Sequence, residues 1–160
     1  MDISVIVPLY NEAESLNELV SWIRQVMHQN GFSFELLLID DGSQDESWQV
    51  IKQLTHEDEH IKALRFRKNY GKSAALHLGF KYVSGDVVIT MDADLQDSPE
   101  EIPGLYHMIL QDGYDFVSGW KKKRYDPISK TMPSKFFNKT ARIVTGIKLH
   151  DFNCGLKAYH

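Results

Sequence analysis

Short apolar runs alternate along the chain with longer amphipathic segments, and this pattern predicts the elements of the fold. Runs rich in β-branched residues are typical of buried strands, and they lie at 3–10, 34–39, 61–66, 87–91 and 114–118. Apolar residues at helical spacing predict helices over 12–29, 45–57, 73–83, 98–111 and 134–144. Strands that alternate with helices predict βαβ units, and therefore an α/β fold with a mainly parallel sheet flanked by helices.

Two local signals refine this pattern. Pro8 cannot donate a ladder hydrogen bond, so the first strand should end there or be loosely paired. The small residues Ala74, Ala75 and Gly79 in the third helix would permit close packing of that helix on the sheet.

Polar residues directly after the strands carry the chemistry. In a parallel α/β sheet, ligands bind outside the carboxyl ends of the strands, so these residues should meet at one rim. The predicted rim gathers several acidic residues and several cations, namely Glu12, Asp40, Asp41, Asp92, Asp94, Lys72 and the basic run 121–124 after the fifth strand. Because unpaired carboxylates repel one another, such a cluster favours a metal ion or a hydrogen-bonded ligand.

Asp92 and Asp94 are the main candidates for a metal site. They follow a buried strand with one small residue, Ala93, between them, and side chains two apart in extended backbone point the same way. Two carboxylates suit Mg²⁺ or Mn²⁺, which keep positions open for water and substrate phosphates. An Asp-x-Asp pair alone fits a solvated turn equally well, so the hypothesis depends on the rest of the rim.

Composition narrows the class of protein. The 160 residues include 18 basic and 22 acidic side chains, a net charge of −4, which argues against a general nucleic-acid-binding protein. The single cysteine, Cys154, excludes an internal disulfide and fits a reducing compartment. No apolar run approaches the ~20 residues that span a bilayer, and Met1 leads directly into a strand, so no signal peptide is predicted. We expect a single domain, 1–160, truncated at its C-terminus.

Three common phosphate or nucleotide sites do not fit the end of the first strand. A phosphoacceptor receiver-like domain needs an acidic pair there, where this chain has Asn11-Glu12. A dinucleotide-binding domain and a P-loop each need a glycine-rich turn, which the sequence lacks. The stretch Pro8-Leu9-Tyr10 instead predicts a rigid wall bearing an aromatic ring, suited to a flat group such as a nucleobase.

Five motifs, in order along the chain, resemble those of the family 2 glycosyltransferases with a GT-A fold. They are Pro8-Leu9-Tyr10-Asn11-Glu12, Asp40-Asp41-Gly42-Ser43, Gly71-Lys72, Asp92-Ala93-Asp94-Leu95-Gln96 and Asp151-Phe152-Asn153-Cys154-Gly155. The chain is most similar to the polyprenyl-phosphate hexosyltransferases, the dolichol-phosphate mannose synthase group. The resemblance implies a Rossmann-like GT-A fold and inverting, metal-dependent transfer of a hexose from a UDP- or GDP-linked donor to a polyprenyl phosphate.

The resemblance also implies a role for each matched residue. The base and ribose of the donor would be bound by Pro8, Tyr10, Glu12, Asp41 and Asp40, although one aspartate of such a pair often caps the turn instead. The donor diphosphate would lie against Asp92, Ala93, Asp94 and Gln96, with Asp92, Asp94 and Gln96 as the metal ligands. Lys72 would approach the diphosphate or the base, with a solvated lysine as the equal alternative. The implied catalytic residues are Asp92, Asp94 and Asp151.

The acceptor side is implied by the last third of the chain. The positions of the family's acceptor-phosphate contacts are matched by Arg124, Ser134 and Arg142. Trp120 and Tyr125 flank the basic run 121–124, a composition that favours an anionic membrane surface over a solvated loop. We therefore expect a cytoplasmic enzyme at the inner face of the membrane, anchored through a C-terminal segment that this chain lacks.

The acceptor decides whether the reaction needs a base. A lipid phosphate is already an anion at neutral pH and requires cations and geometry. A sugar hydroxyl would require a base, and Asp151 is the candidate, with a structural turn as the alternative. Two other functions stay open, namely extension of a surface polysaccharide and binding of a nucleotide sugar without catalysis.

Overall fold

The computed structural model describes residues 1–120 and 154–160, and the predicted helix over 134–144 lies outside them. In chain order, the elements are β1 (Ile3–Leu9), α1 (Leu16–Asn30), β2 (Phe34–Asp40), α2 (Ser47–Glu57), β3 (Ile61–Arg65), α3 (Lys72–Gly79), β4 (Val87–Thr90), a 3₁₀ turn (Pro99–Glu101), α4 (Ile102–Leu110), β5 (Phe116–Ser118) and β6 (Lys157–Tyr159).

The strands form one sheet in the order β3-β2-β1-β4-β6-β5. Neighbours from β3 to β4 pair in parallel, and β6 runs antiparallel between β4 and β5. The sheet is thus mainly parallel and flanked by helices, which confirms the predicted α/β class. The sequence does not predict β6, because three residues are too few to show an alternating pattern.

Each face of the sheet has its own hydrophobic core. β1 and β2 are buried along their whole length, as expected for strands covered on both faces. Val5 and Val7 belong to the core formed with α1, α2 and α4, whereas Ile6 packs on the other face, which is covered by α3. A Cβ on Gly79 of α3 would lie 2.7 Å from Ile6 Cγ2, so the close packing expected from this residue is confirmed.

The direction of strand addition reverses at β1. β2 and β3 extend from one side of β1, and β4 pairs with its other side. α1 and α2 cover one face and α3 covers the other, as right-handed crossovers require when the direction reverses. At such a switch point the loops after two adjacent strands diverge, and they leave a crevice that can hold a ligand.

Pro8 loosens β1 on one side only. β1 stays in register with β2 through Leu9, whereas its pairing with β4 stops at Ile6. The Ile6 carbonyl accepts from Met91 N on the β4 side. Because backbone groups two residues apart point to the same side, the nitrogen of Pro8 also faces β4, beyond the paired stretch.

α1 begins later than its apolar pattern predicts. Asn11 has a positive φ of 57°, and the first helical residue is Leu16. The Asn11 side-chain oxygen accepts from Gln44 N at 2.9 Å, so Asn11 joins the loops after β1 and β2.

A buried carboxylate lies at the opposite, amino edge of the sheet. Glu35 of β2 is 2% exposed. It accepts hydrogen bonds from Ser4 Oγ at 2.6 Å, Lys62 Nζ at 2.6 Å and Ser84 N at 2.7 Å. Burial raises the pKa of Glu35, but these donors outweigh burial and bring the pKa down to about 2. This network ties β1, β2, β3 and the turn before β4 together, away from the rim.

Candidate functional site

A cleft of about 260 Å³ opens at the carboxyl ends of the strands. It is lined by the end of β1 and the loop after it, the loop after β2, the loop after β3 with the first residue of α3, and the loop after β4. These residues are Pro8, Leu9, Tyr10, Glu12, Asp41, Asn69, Gly71, Lys72, Asp92, Ala93 and Asp94. The structure thus brings together eight of the ten residues predicted to bind the donor. The two that do not line the cleft are Asp40 and Gln96.

The wall after β1 carries an exposed ring on a fixed backbone. Tyr10 is 39% exposed. The next two backbone amides are held by the loop after β2 and the first residue of α2, because Asn11 N donates to Ser43 Oγ and Glu12 N donates to Ser47 Oγ, both at 2.9 Å. A rigid, exposed aromatic ring provides a stacking surface at low entropic cost.

Asp45 strengthens the same junction between the two loops. Its carboxylate accepts from Ala13 N at 3.2 Å and from Ser47 N at 3.0 Å. Burial raises the pKa of Asp45, but the hydrogen bonds from Ser47 and Ala13 outweigh burial and leave this pKa below its ordinary value. The junction therefore contains a carboxylate that accepts hydrogen bonds from the loop after β1 and from the start of α2.

Asp40 caps the turn after β2. It is fully buried, its Oδ1 accepts from Ser43 N at 2.8 Å, and its Oδ2 lies 3.1 Å from Arg65 Nε. This is the alternative that the sequence left open for one aspartate of the pair. The structure does not bring Asp40 to the cleft, because its carboxylate is turned toward β3.

Asp41 lines the cleft and holds the loop on its far side. It is 4% exposed, and its two oxygens accept from Tyr70 N and Gly71 N, both at 2.8 Å. Gly42 beside it has φ +76°, and a Cβ there would lie 2.5 Å from the carbonyl carbon of Lys68. The loops after β2 and β3 therefore pack backbone against backbone, which fixes the segment that leads into α3.

Asp92 and Asp94 both face the cleft from beyond the end of β4. β4 ends at Thr90, and residues 93–95 form a bend in which Leu95 has a φ of 60°. Both carboxylates line one cleft, and the backbone that follows Asp92 bends instead of continuing as a strand.

The two carboxylates are accessible to a cation. The Asp92 side chain is 29% exposed, and Asp94 is exposed. Lys72 Nζ donates to Asp92 Oδ1, which shows that a positive charge already fits at this carboxylate. In the described parts of the chain, no three His, Cys, Asp or Glu side chains cluster as a metal site. Two carboxylates nonetheless suit Mg²⁺ or Mn²⁺ held jointly with substrate phosphates.

Gln96, the third predicted metal ligand, lines a neighbouring cavity instead. This cavity has a volume of about 450 Å³ and also includes Trp120 and Cys154. The backbone amide of Gln96 donates to Asp94 Oδ1 at 3.1 Å, so Gln96 supports the bend. Cys154 is buried.

The sequence argument assigned no role to three residues near the cleft, namely Asn69, Thr90 and Gly155. Asn69 lines the cleft, and its place in a polar loop directly after β3 could have identified it. Thr90 Oγ1 donates to the carbonyl of Gly155 at 3.0 Å in a buried position. No local sequence signal reveals this contact, because it joins two segments that are distant along the chain.

The predicted acceptor-side residues lie outside the described residues, namely Arg124, Ser134, Arg142 and Asp151, as does the basic run 121–124. Trp120, which precedes that run, is 53% exposed. Within residues 1–120 and 154–160, no helix has the length and apolar character needed to cross a membrane.

Comparison with known proteins adds independent information. The model of the family described as "Glycosyl transferase family 2" matches residues 4–160. The chain is 41% identical over 158 residues to an undecaprenyl-phosphate 4-deoxy-4-formamido-L-arabinose transferase from Shewanella sediminis, a match that covers 98% of this chain and 47% of that protein. The chain thus spans about half the length of the curated relatives it matches.

Two solved structures share the fold. The first is glucosyl-3-phosphoglycerate synthase from Mycobacterium tuberculosis in complex with Mn²⁺, UDP and phosphoglyceric acid, with a TM-score of 0.78 and 19% identity over 99% of this chain and 55% of that one. The second is a mannosyltransferase from Pyrobaculum calidifontis with GDP-Man and Mn²⁺, with a TM-score of 0.70 and 20% identity over 98% and 44% of the two chains. These likenesses confirm the predicted GT-A fold.

Proposed function

The chain belongs to glycosyl transferase family 2, and we propose that it binds a nucleotide-diphosphate sugar and transfers the sugar to a polyprenyl phosphate with inversion. The observation that carries the proposal is the cleft at the switch point. It places the exposed ring of Tyr10, the cation of Lys72 and the carboxylates of Asp92 and Asp94 around one space. The name of the curated relative, an undecaprenyl-phosphate sugar transferase, supports the acceptor class.

The donor's base would stack on the wall after β1. Tyr10 offers the ring, and the hydrogen bonds from Asn11 N to the loop after β2 and from Glu12 N to the start of α2 keep that wall rigid. Asp41 and Glu12 would bound the ribose on either side of the cleft. UDP and GDP both fit this description, because a stacking surface does not distinguish one base from another.

The diphosphate would lie between Lys72 and the two aspartates. A divalent cation, Mg²⁺ or Mn²⁺, would be held by Asp92 and Asp94 and would neutralise charge on the leaving diphosphate as a Lewis acid. Lys72 lies at the N-terminus of α3, where its ammonium can leave Asp92 for a phosphate oxygen within the same cleft. Charged groups that are already in place stabilise the leaving group without reorganisation during the reaction.

The acceptor would need no base. A polyprenyl phosphate is an anion at neutral pH, so its oxygen can attack the anomeric carbon directly once the two phosphate groups are held near each other. Arg124, Ser134 and Arg142 are our proposed acceptor-phosphate contacts. If the acceptor were a sugar hydroxyl instead, Asp151 would be the proposed base.

We propose that the enzyme works at the cytoplasmic face of a membrane. The aromatic and basic segment 120–125 matches the chemistry that anionic lipid headgroups attract. A lipid-linked acceptor presents its phosphate at the depth of the lipid headgroups, so binding to the membrane surface and binding of the acceptor would act together.

Calorimetric titration with UDP-glucose, UDP-N-acetylglucosamine, UDP-arabinose and GDP-mannose, with and without Mn²⁺, tests the donor assignment. The arabinose donor is included because the curated relative is named for an arabinose derivative. We expect Mn²⁺-dependent binding of one donor, which also identifies the base. A folded sample that binds none of them would refute the proposed donor site.

Asp94→Ala tests the metal role within the same assay. It should abolish the Mn²⁺-dependent part of donor binding while the circular dichroism spectrum stays unchanged, because Asp94 is exposed. Asp112→Ala is the matched control, since Asp112 is also exposed and lies before β5, at the other edge of the sheet. Equal Mn²⁺-dependent affinity in the wild type and Asp94→Ala would remove Asp94 from the site.

A further inference from the structure

The backbone at Gly155 lies directly against the carboxylate of Asp92. Gly155 is buried. A Cβ built on it would lie 2.5 Å from Asp92 Cγ and 2.8 Å from Oδ1, and closer still to Oδ2. Real Cβ atoms essentially never approach other atoms within 3.0 Å. Every other residue type at position 155 would therefore displace the Asp92 carboxylate or the backbone beneath it.

Gly155 has little freedom to move away. Its carbonyl accepts the buried hydrogen bond from Thr90 Oγ1 at 3.0 Å, and the register places Thr90 opposite Lys157 in the antiparallel pair of β4 and β6. On the other side, Gly119 N donates to the Leu156 carbonyl at 2.9 Å. The segment is thus held on both sides by backbone and side-chain hydrogen bonds. When a methyl group is added at position 155, the Asp92 side chain should therefore move more readily than the backbone of Gly155.

We propose that Gly155 is a positioning residue for the cation site. Its missing side chain leaves the space in which the Asp92 carboxylate rests, and its backbone holds that carboxylate toward Lys72 and the cleft. The inference depends on the proposed function, in which Asp92 binds a divalent cation together with the donor diphosphate. It assigns a second part of the site to the turn that leads into β6, a segment that contributes no lining residue to the cleft.

Gly155→Ala is the direct test, and Gly104→Ala is its matched control. A Cβ on Gly104, in α4, meets no atom within 4 Å, so the control adds the same methyl group without a clash. We expect Mn²⁺-dependent nucleotide affinity to fall about 10- to 100-fold in Gly155→Ala, the effect typical of removing support from a metal ligand. Binding measured without Mn²⁺ should not change, and Gly104→Ala should match the wild type in both measurements.

A double-mutant cycle in urea separates contact with Asp92 from a general packing defect. Asp92→Ala removes the three atoms that the new methyl group would meet, so Gly155→Ala should destabilise the Asp92→Ala background less than the wild type. An equal loss of stability in both backgrounds would overturn the inference. If Gly155→Ala alone does not fold, Thr90→Val, which removes the hydrogen bond to the Gly155 carbonyl without adding volume, should weaken Mn²⁺-dependent binding.

The outcomes distinguish this inference from the proposed function. The positioning role would be overturned, and the proposed function left intact, if Gly155→Ala bound nucleotide with the same Mn²⁺ dependence as the wild type. If Gly155→Ala does not fold, unchanged Mn²⁺-dependent binding in Thr90→Val would have the same meaning. Absence of Mn²⁺-dependent binding in the wild type would overturn the proposed function and the positioning role with it. Loss of Mn²⁺-dependent binding together with coupled stability in the cycle would support both.

Discussion

Replacing Glu35 by glutamine should destabilise the protein markedly at neutral pH. Burial alone would raise the pKa of this carboxyl, but the donors from Lys62, Ser4 and Ser84 lower it from 4.5 to about 2 in the folded state. A fall of that size corresponds to about 3 kcal/mol of folding stability, at about 1.4 kcal/mol for each pH unit. Glutamine keeps the size of the side chain and loses the charge, so most of this contribution should disappear.

The same argument fixes the pH dependence. Because the folded pKa lies below the unfolded value of 4.5, the stabilisation is complete above pH 4.5 and is lost as the pH falls toward 2. The unfolded chain takes up the proton first, so acid favours unfolding. The advantage of the wild type over Glu35→Gln should shrink from about 3 kcal/mol at pH 7 to about 1.4 kcal/mol at pH 3.

Urea unfolding followed by tryptophan fluorescence, at several pH values between 3 and 7, would measure this difference. Glu59→Gln is the control, because Glu59 is exposed and lies in the turn before β3. Lys62→Met isolates one donor and should cost only about 1 kcal/mol, since the Lys62 side chain is 55% exposed and well screened. If the difference between the wild type and Glu35→Gln stayed constant or grew on acidification, burial would dominate and the reasoning would be refuted.

Two further predictions concern the rim and the acceptor. Gly42→Ala should destabilise the fold by about 1–3 kcal/mol by overpacking, because its Cβ would meet the Lys68 backbone. Urea unfolding should show a smaller loss for Gly113→Ala, which has a similar φ of +74° and open space around it. Arg124→Ala should raise the KM for a polyprenyl-phosphate acceptor while the Kd for the donor stays near the wild-type value; equal losses would argue against an acceptor role.

The central strands and their helices were predictable because strands buried on both faces consist almost entirely of apolar residues. β1 and β2 are nearly continuous in apolar residues, and in a parallel sheet such strands must alternate with helices. The rim followed from the same step, since the carboxyl ends of parallel strands meet at one edge. Asp41, Lys72, Asp92 and Asp94 could therefore be placed around one cleft without coordinates.

β6 could not be predicted, because what determines it is not local. Its three residues obtain their order from pairing with β4 on one side and β5 on the other, and neither partner is near in sequence. The contact between Gly155 and Asp92 has the same origin. A glycine has no side chain to identify its partner, so its role becomes visible only when the opposing carboxylate is in place.

The sequence also could not predict the direction in which each rim carboxylate points. In the structure, the contacts that each carboxylate makes with protein groups distinguish the aspartates that hold the loops in place from those that can bind a ligand. An ionised carboxylate has room for about four hydrogen bonds. Asp41 is buried and accepts hydrogen bonds at both oxygens, whereas buried Asp40 accepts one at Oδ1 and pairs with the Arg65 guanidinium through Oδ2. Asp94 is exposed and, among the described residues, accepts one hydrogen bond, from Gln96 N. The carboxylate oxygens that can still accept a ligand are therefore concentrated in the loop after β4. This is where a cation shared with a diphosphate would be held.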